Sequence, residues 1–146
     1  MTTTVEFGTL QRVQVHFDDL DAMGIVHNAR YGVLVERALS TYWLSQGWTF
    51  NPATSIFPND QMLAVREVTI SYHTPISTMD DLEVHLWVEH LGRTSIRYGA
   101  RVLSADHSVL HAEAARTQVK IDPHTRRSAP LSPEFRAAAE RLMPPR

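Results

Sequence analysis

The sequence predicts an α+β fold in which a curved antiparallel sheet wraps one apolar helix. Three observations carry this expectation: one long stretch has a helical period, four strand-like runs joined by short turns follow it, and a lone strand precedes it. Helical and strand runs kept apart in this way argue against a parallel βαβ arrangement.

The first strand is expected over residues 10–17, where Val13, Val15 and Phe17 alternate with Arg12, Gln14 and His16, the period of a half-buried strand. It stops at the polar pair Asp18-Asp19. From Tyr31 the period changes: Leu34, Val35, Ala38, Leu39, Tyr42 and Trp43 follow it at i, i+3, i+4 and i+7 spacing, the signature of a helix with one buried face. Gly47 is placed to end that helix, because glycine accepts the left-handed conformation that helix C-termini use. Residues 48–60, with Pro52 and Pro58, read as a connecting loop.

Strands are then expected over 65–73, 82–90, 95–104 and 109–121, each with apolar residues at alternate positions. Turn signals separate them: Pro75 with Asp80-Asp81, then Leu91-Gly92-Arg93, then 105–108. The last two gaps are of hairpin size. A Pro-rich tail follows, with a short helix around 133–142. The whole of 1–146 is expected to form one domain, with 123–146 peripheral to it, since 146 residues suit a single hydrophobic core.

Composition narrows the function. With 43% hydrophobic and 21% charged residues, the chain has the make-up of a globular protein able to bury a core. A formal net charge of -2 and no dense Lys/Arg run give a polyanion nothing to bind, so nucleic acid is not an expected partner. The absence of cysteine excludes disulfides, thiolate metal sites and a cysteine nucleophile. No leader-like start and no apolar run of membrane-spanning length are seen, so a cytoplasmic location without a membrane span is expected. No G-x-S-x-G elbow, phosphate loop or dinucleotide-binding glycine motif occurs. The eight histidines form no H-E-x-x-H cluster, and His107 and His111 fall in a turn and a strand, so no metal site is expected.

The segment 15–43 holds a compact chemical device. Asp21 is followed by Gly24, which lets the chain turn tightly, and then by a helix start. Backbone N–H groups at a helix start are unpaired and carry the positive end of the helix dipole. A thioester carbonyl placed there would be polarised where its oxygen gains negative charge, with Asp21 beside it. Taken singly, Asp21 reads equally well as a turn or capping residue, Glu36 as an ion-paired helix residue, and Arg93 as a solvated turn residue.

Together these pieces resemble the 4-hydroxybenzoyl-CoA thioesterase family and its YbgC-like relatives in the hot-dog superfamily. The shared pattern is Asp21-x-x-Gly24-x-Val26, Asn28-x-x-Tyr31 and Glu36-Arg37-Ala38. It continues in Ser71-Tyr72-His73 before Pro75, Asp80-Asp81-Leu82 at a strand start, and Gly92-Arg93-Thr94-Ser95 at a hairpin. The resemblance spans residues 13–122 and implies a hot-dog fold and an acyl-CoA substrate, with coenzyme A part of that substrate and no separate cofactor. It makes Asp21 the catalytic carboxylate, as nucleophile or as general base through a water, and the N–H near Asn28 the carbonyl polariser.

Other branches of the superfamily use a helix glutamate, which makes Glu36 a second candidate. Relatives that carry a histidine seven places after the aspartate are matched here by Asn28, with His27 one place earlier. Gly24, His27, Asn28 and Tyr31 are therefore expected around the acyl group. Arg93, Thr94 and Ser95 are expected around coenzyme A, where a guanidinium suits phosphate, and Arg126 and Arg127 would serve similarly. The open sheet edge and the resemblance imply a homodimer or homotetramer. Two alternatives stay open: a hot-dog acyl-CoA hydratase or dehydratase, and a non-catalytic acyl-CoA binding protein.

Overall fold

The computed structural model describes residues 5–146; residues 1–4 of the expected domain lie outside the described part. Its elements are β1 (Thr9–Gln14), α1 (Tyr31–Ser45), β2 (Leu63–Tyr72), β3 (Asp81–Leu91), β4 (Ser95–Ser104), β5 (Leu110–Lys120) and α2 (Pro133–Glu140), with 3-10 turns at Phe17–Asp19 and Asn28–Arg30. The strands form one antiparallel sheet in the order β1-β3-β4-β5-β2. The sheet curves around α1, the α+β hot-dog architecture that the periodicities and the resemblance predict.

α1 buries Tyr31, Leu34, Val35, Ala38, Leu39 and Trp43 against the sheet, as its stripe foretold. Fully burying one such aliphatic side chain contributes about 1.5 to 3 kcal/mol, so this stripe dominates the packing. The helix ends where expected. Gly47 adopts φ +94°, and the N–H groups of Gly47 and Trp48 donate to the carbonyls of Leu44 and Trp43, closing the last turn on its own orphan acceptors.

Three expectations need correction. β1 stops at Gln14, and Phe17 is 81% exposed instead of sharing the buried side with Val13 and Val15. The chain leaves the sheet early because the Asp19 side chain accepts the His16 N–H and closes a 3-10 turn. Tyr72, which alternation assigns to the core, is 51% exposed because β2 is an edge strand with an uncovered side. The C-terminal segment is not peripheral: Leu131, Phe135, Ala138, Ala139 and Leu142 belong to the main core. Ser132 caps α2 by accepting the Phe135 N–H, Pro133 opens the helix, and Phe135 stacks on Trp43 with ring centroids 4.7 Å apart.

Candidate active site

The loop between β1 and α1 is organised by a carboxylate other than the one the sequence singles out. Asp19 is fully buried. Its Oδ1 accepts Arg30 Nε at 2.9 Å, its Oδ2 accepts Arg37 Nη1 at 3.0 Å and the His16 N–H at 2.8 Å, and its carbonyl accepts the His27 N–H at 2.9 Å. Desolvation pushes its pKa up, but the His16 amide and the two guanidiniums outweigh that and leave it at about 2. One side chain thus ties β1, the loop and the first two turns of α1 together.

On that anchor sits a small closed turn. Asp21 N–H donates to Ile25 O at 2.8 Å and Gly24 N–H to Asp21 O at 3.0 Å, while Leu20 and Val26 form an antiparallel bridge. Gly24 has φ +77° with nothing within 4 Å of an added Cβ. Glycine is required for the left-handed backbone, not for space. Asp21 Oδ1 accepts Met23 N–H at 2.8 Å and Ile25 N–H at 3.3 Å. These bonds hold the carboxylate by Oδ1, and Oδ2 accepts no hydrogen bond from the described residues.

The half-buried Asp21 carboxylate opens into a cavity of about 290 Å³ shared with His27, Asn28, Tyr31, Tyr72 and His73. Asn28 begins the 3-10 turn that runs straight into α1, so its N–H points out of the helix start. Tyr72 fixes this corner from the edge strand: its hydroxyl donates to Asn28 O at 2.9 Å, and its ring meets Tyr31 edge-on with centroids 5.0 Å apart. Burial raises the Tyr31 hydroxyl above its ordinary value, which keeps it protonated and neutral. His27 is exposed and makes no side-chain cap.

The remaining expected residues lie elsewhere. Glu36 faces a second cavity, with its Oε2 3.8 Å from Arg116 Nη1, and does not meet Asp21 within one chain. The hairpin of Arg93, Thr94 and Ser95 is at the far end of the sheet. Ser95 pairs with Val119 beside Leu63, whereas the Asp21 cavity adjoins Tyr72, which pairs with Ala112. The nine residue-to-residue steps from Leu63 to Tyr72 separate the two by about 30 Å of strand. The hairpin is held by the C-terminal segment: Leu131 N–H donates to Arg93 O at 3.0 Å and Arg136 Nη2 to Gly92 O at 2.7 Å. Arg126 and Arg127 are both exposed, and Arg126 takes a positive φ in the turn after β5.

Among the described residues no group of three His, Cys, Asp or Glu side chains is placed to hold a metal ion, and no helix is long and apolar enough to cross a membrane. The sequence reasoning passed over Asp19 with its two arginines. It also passed over Arg116 and Gln118 on β5. The signal for the latter pair was present: on the face of β5 that carries Ala112 and Ala114 the next two positions are charged and polar, where alternation calls for apolar residues.

A five-stranded antiparallel sheet wrapped on one central helix defines the hot-dog class. The chain belongs to the thioesterase-like superfamily, whose family model matches residues 15–139, and it is a thioester hydrolase by that membership. It is 29% identical over 115 residues to the acyl-CoA thioester hydrolase YbgC of Escherichia coli, covering 76% of this chain and 80% of that one. Among solved structures it is similar to a thioesterase complexed with coenzyme A and Zn from Thermus thermophilus, at TM-score 0.75 and 26% identity over 93% of this chain and 94% of that one. A 1,4-dihydroxy-2-naphthoyl-CoA thioesterase from Synechocystis shares the fold at TM-score 0.79, with 22% identity over 93% of this chain and 98% of that one.

Proposed function

We propose that the protein hydrolyses acyl-CoA thioesters to free acid and coenzyme A, with Asp21 as the catalytic carboxylate. The observation that carries this is the commitment of Asp21 Oδ1 to two backbone amides, with Asp21 and Asn28 on the wall of one cavity. A carboxylate held in one plane is positioned either to attack the thioester carbon or to take a proton from a water that does so. The Asn28 N–H, at the positive end of α1, stabilises the oxyanion of the tetrahedral intermediate. Collapse of that intermediate expels the coenzyme A thiolate; on the nucleophilic route water then cleaves the acyl–Asp21 anhydride to free acid and the restored carboxylate, and on the general-base route the proton taken from water passes to the thiolate. YbgC's name states the same activity for that relative.

The working unit in this proposal is at least a homodimer formed along β2. That strand is a free edge, and it exposes Val65 by 49%, Val68 by 42% and Tyr72 by 51%, a surface that favours pairing with another strand. Antiparallel pairing of β2 with its copy brings the Leu63 end of one chain to the Tyr72 end of the other. Arg93 of the partner subunit then approaches Asp21, removing the separation of about 30 Å found within a chain. The test is turnover of an acyl-CoA panel, read as free thiol, by the wild type and by Asp21→Asn. A loss of at least a hundredfold in kcat is expected, and wild-type turnover by Asp21→Asn would sink the assignment.

A further inference from the structure

Arg116 has no evident business where it stands. It lies on the helix-facing side of β5, is 9% exposed, and its Nε is buried with no hydrogen-bond partner. The countercharge it meets is Glu36, 3.8 Å away and 61% exposed at its side chain, beyond hydrogen-bond range. A guanidinium taken out of water costs much more than that loose pair returns unless an acceptor meets its donors.

What it faces is a cavity of about 360 Å³ whose walls include Leu39, Trp43, Trp48 and Phe135. Glu36, Ser40 and Gln61 also line it, and two further polar groups, Tyr98 and Gln118, stand on the same wall as Arg116. Tyr98 accepts the Trp43 Nε1–H at 2.9 Å, which leaves its own hydrogen to donate, and Gln118 makes a single long contact, 3.5 Å, to Leu63 O. Burial raises the Tyr98 hydroxyl, so it stays protonated and able to donate. An apolar chamber with a cation and a hydroxyl donor on its wall suits an apolar chain that ends in an anion.

This chamber is connected to the Asp21 cavity by a continuous apolar strip. A bulge between Val65 and Glu67 keeps Val65 on the same side of β2 as Val68, Ile70 and Tyr72, facing α1. Val65 borders the Arg116 chamber and Tyr72 the Asp21 cavity, and Gly32 leaves α1 low opposite Ile70. From Asn28 to Glu36 along the 3-10 turn and α1 is about 13 Å, the reach of roughly ten carbons at about 1.3 Å each in an extended chain.

We propose that the far end of the acyl chain enters the Arg116 chamber and that Arg116, with Tyr98, selects acyl groups ending in a carboxylate. The inference rests on the thioesterase reading of the Asp21 cavity. An arriving carboxylate replaces the loosely held Glu36 as the partner of Arg116, and Glu36 is free to turn to solvent.

The test compares decanoyl-CoA with the mono-CoA thioester of decanedioic acid. For the wild type, kcat/KM is expected to favour the carboxylate-ended thioester at least tenfold, and Arg116→Met to reduce that ratio at least tenfold, with Arg116→Lys restoring part of it. A wild-type ratio near one, or a ratio that survives in Arg116→Met, overturns the proposal. Arg116→Gln repeats the comparison should the methionine variant fail to fold. Absence of hydrolysis of either thioester would refute the thioesterase reading instead, and occupancy of the chamber would still be read by Trp43 and Trp48 fluorescence. Quenching by the monomethyl ester of decanedioic acid, which keeps one carboxylate, that exceeds quenching by the uncharged methyl decanoate and disappears in Arg116→Met supports the selection; equal quenching by both esters refutes it.

Discussion

Replacing Asp19 by asparagine removes the charge on which the loop and α1 are strung while keeping the shape of the side chain. Its pKa is lowered from 3.8 to about 2 in the folded protein, and each unit of such a shift corresponds to about 1.4 kcal/mol. The ionised carboxylate therefore contributes on the order of 2 kcal/mol at neutral pH. The sign follows from a depressed folded value: the contribution is complete above the unfolded value of 3.8 and is lost as pH falls through about 2. Roughly half should remain at pH 3. Asp19→Asn is therefore expected to lose about 2 kcal/mol of unfolding free energy at pH 7, a fall of roughly 4 to 8 °C in Tm for a chain of this size. Urea titrations of both proteins at one fixed protein concentration, at pH 7, 4 and 3, measure it. A deficit that stays the same from pH 7 to pH 3 would show that the clamp works by shape and not by charge, and no deficit at all would remove the clamp.

Gly24→Ala is expected to cost about 1 to 2 kcal/mol, because φ +77° is strained for any side chain even though space is open there; a stability equal to wild type in urea would contradict that. Tyr98→Phe strands the buried Trp43 Nε1–H, whose acceptor is 2.9 Å away, and should destabilise by about 1 to 2 kcal/mol with a shifted tryptophan emission. Tyr72→Phe breaks the bond to Asn28 O and, in the proposed mechanism, should lower kcat severalfold while leaving the global Tm within a few degrees; an equal loss of both would make Tyr72 structural only.

Much of the fold was legible because its elements have clean periods. The stripe of α1 and the alternation of β3 and β4 are imposed by one buried face each, and such patterns survive in sequence whatever the tertiary partner. What misled was context. Phe17 fits the alternation of β1, yet a side chain two residues on, Asp19, pulls the backbone out of the sheet. Tyr72 fits the alternation of β2, yet a strand at an edge has no neighbour to cover it. The tail was read as peripheral from its prolines, although Pro133 marks a helix start and the apolar residues behind it fill the core beside Trp43.

The site divides in the same way. The turn that carries Asp21, Gly24 and Asn28 was legible because a few consecutive residues build it, and local geometry follows from local sequence. Glu36 and Arg93 were drawn into one site by spacing along a family pattern, but spacing holds no information about which end of a sheet a hairpin occupies. The two neighbouring carboxylates show why composition alone misleads at this turn. Asp19, with no exposure, two arginines and an amide, is already fully engaged and has little affinity left for a proton or a substrate. That engagement is what allows Asp21, two residues on, to be held by Oδ1 and to keep Oδ2 open. The chemistry proposed for Asp21 is thus conditional on Asp19, and a variant that loosens the clamp should cost turnover even at temperatures where the protein stays folded.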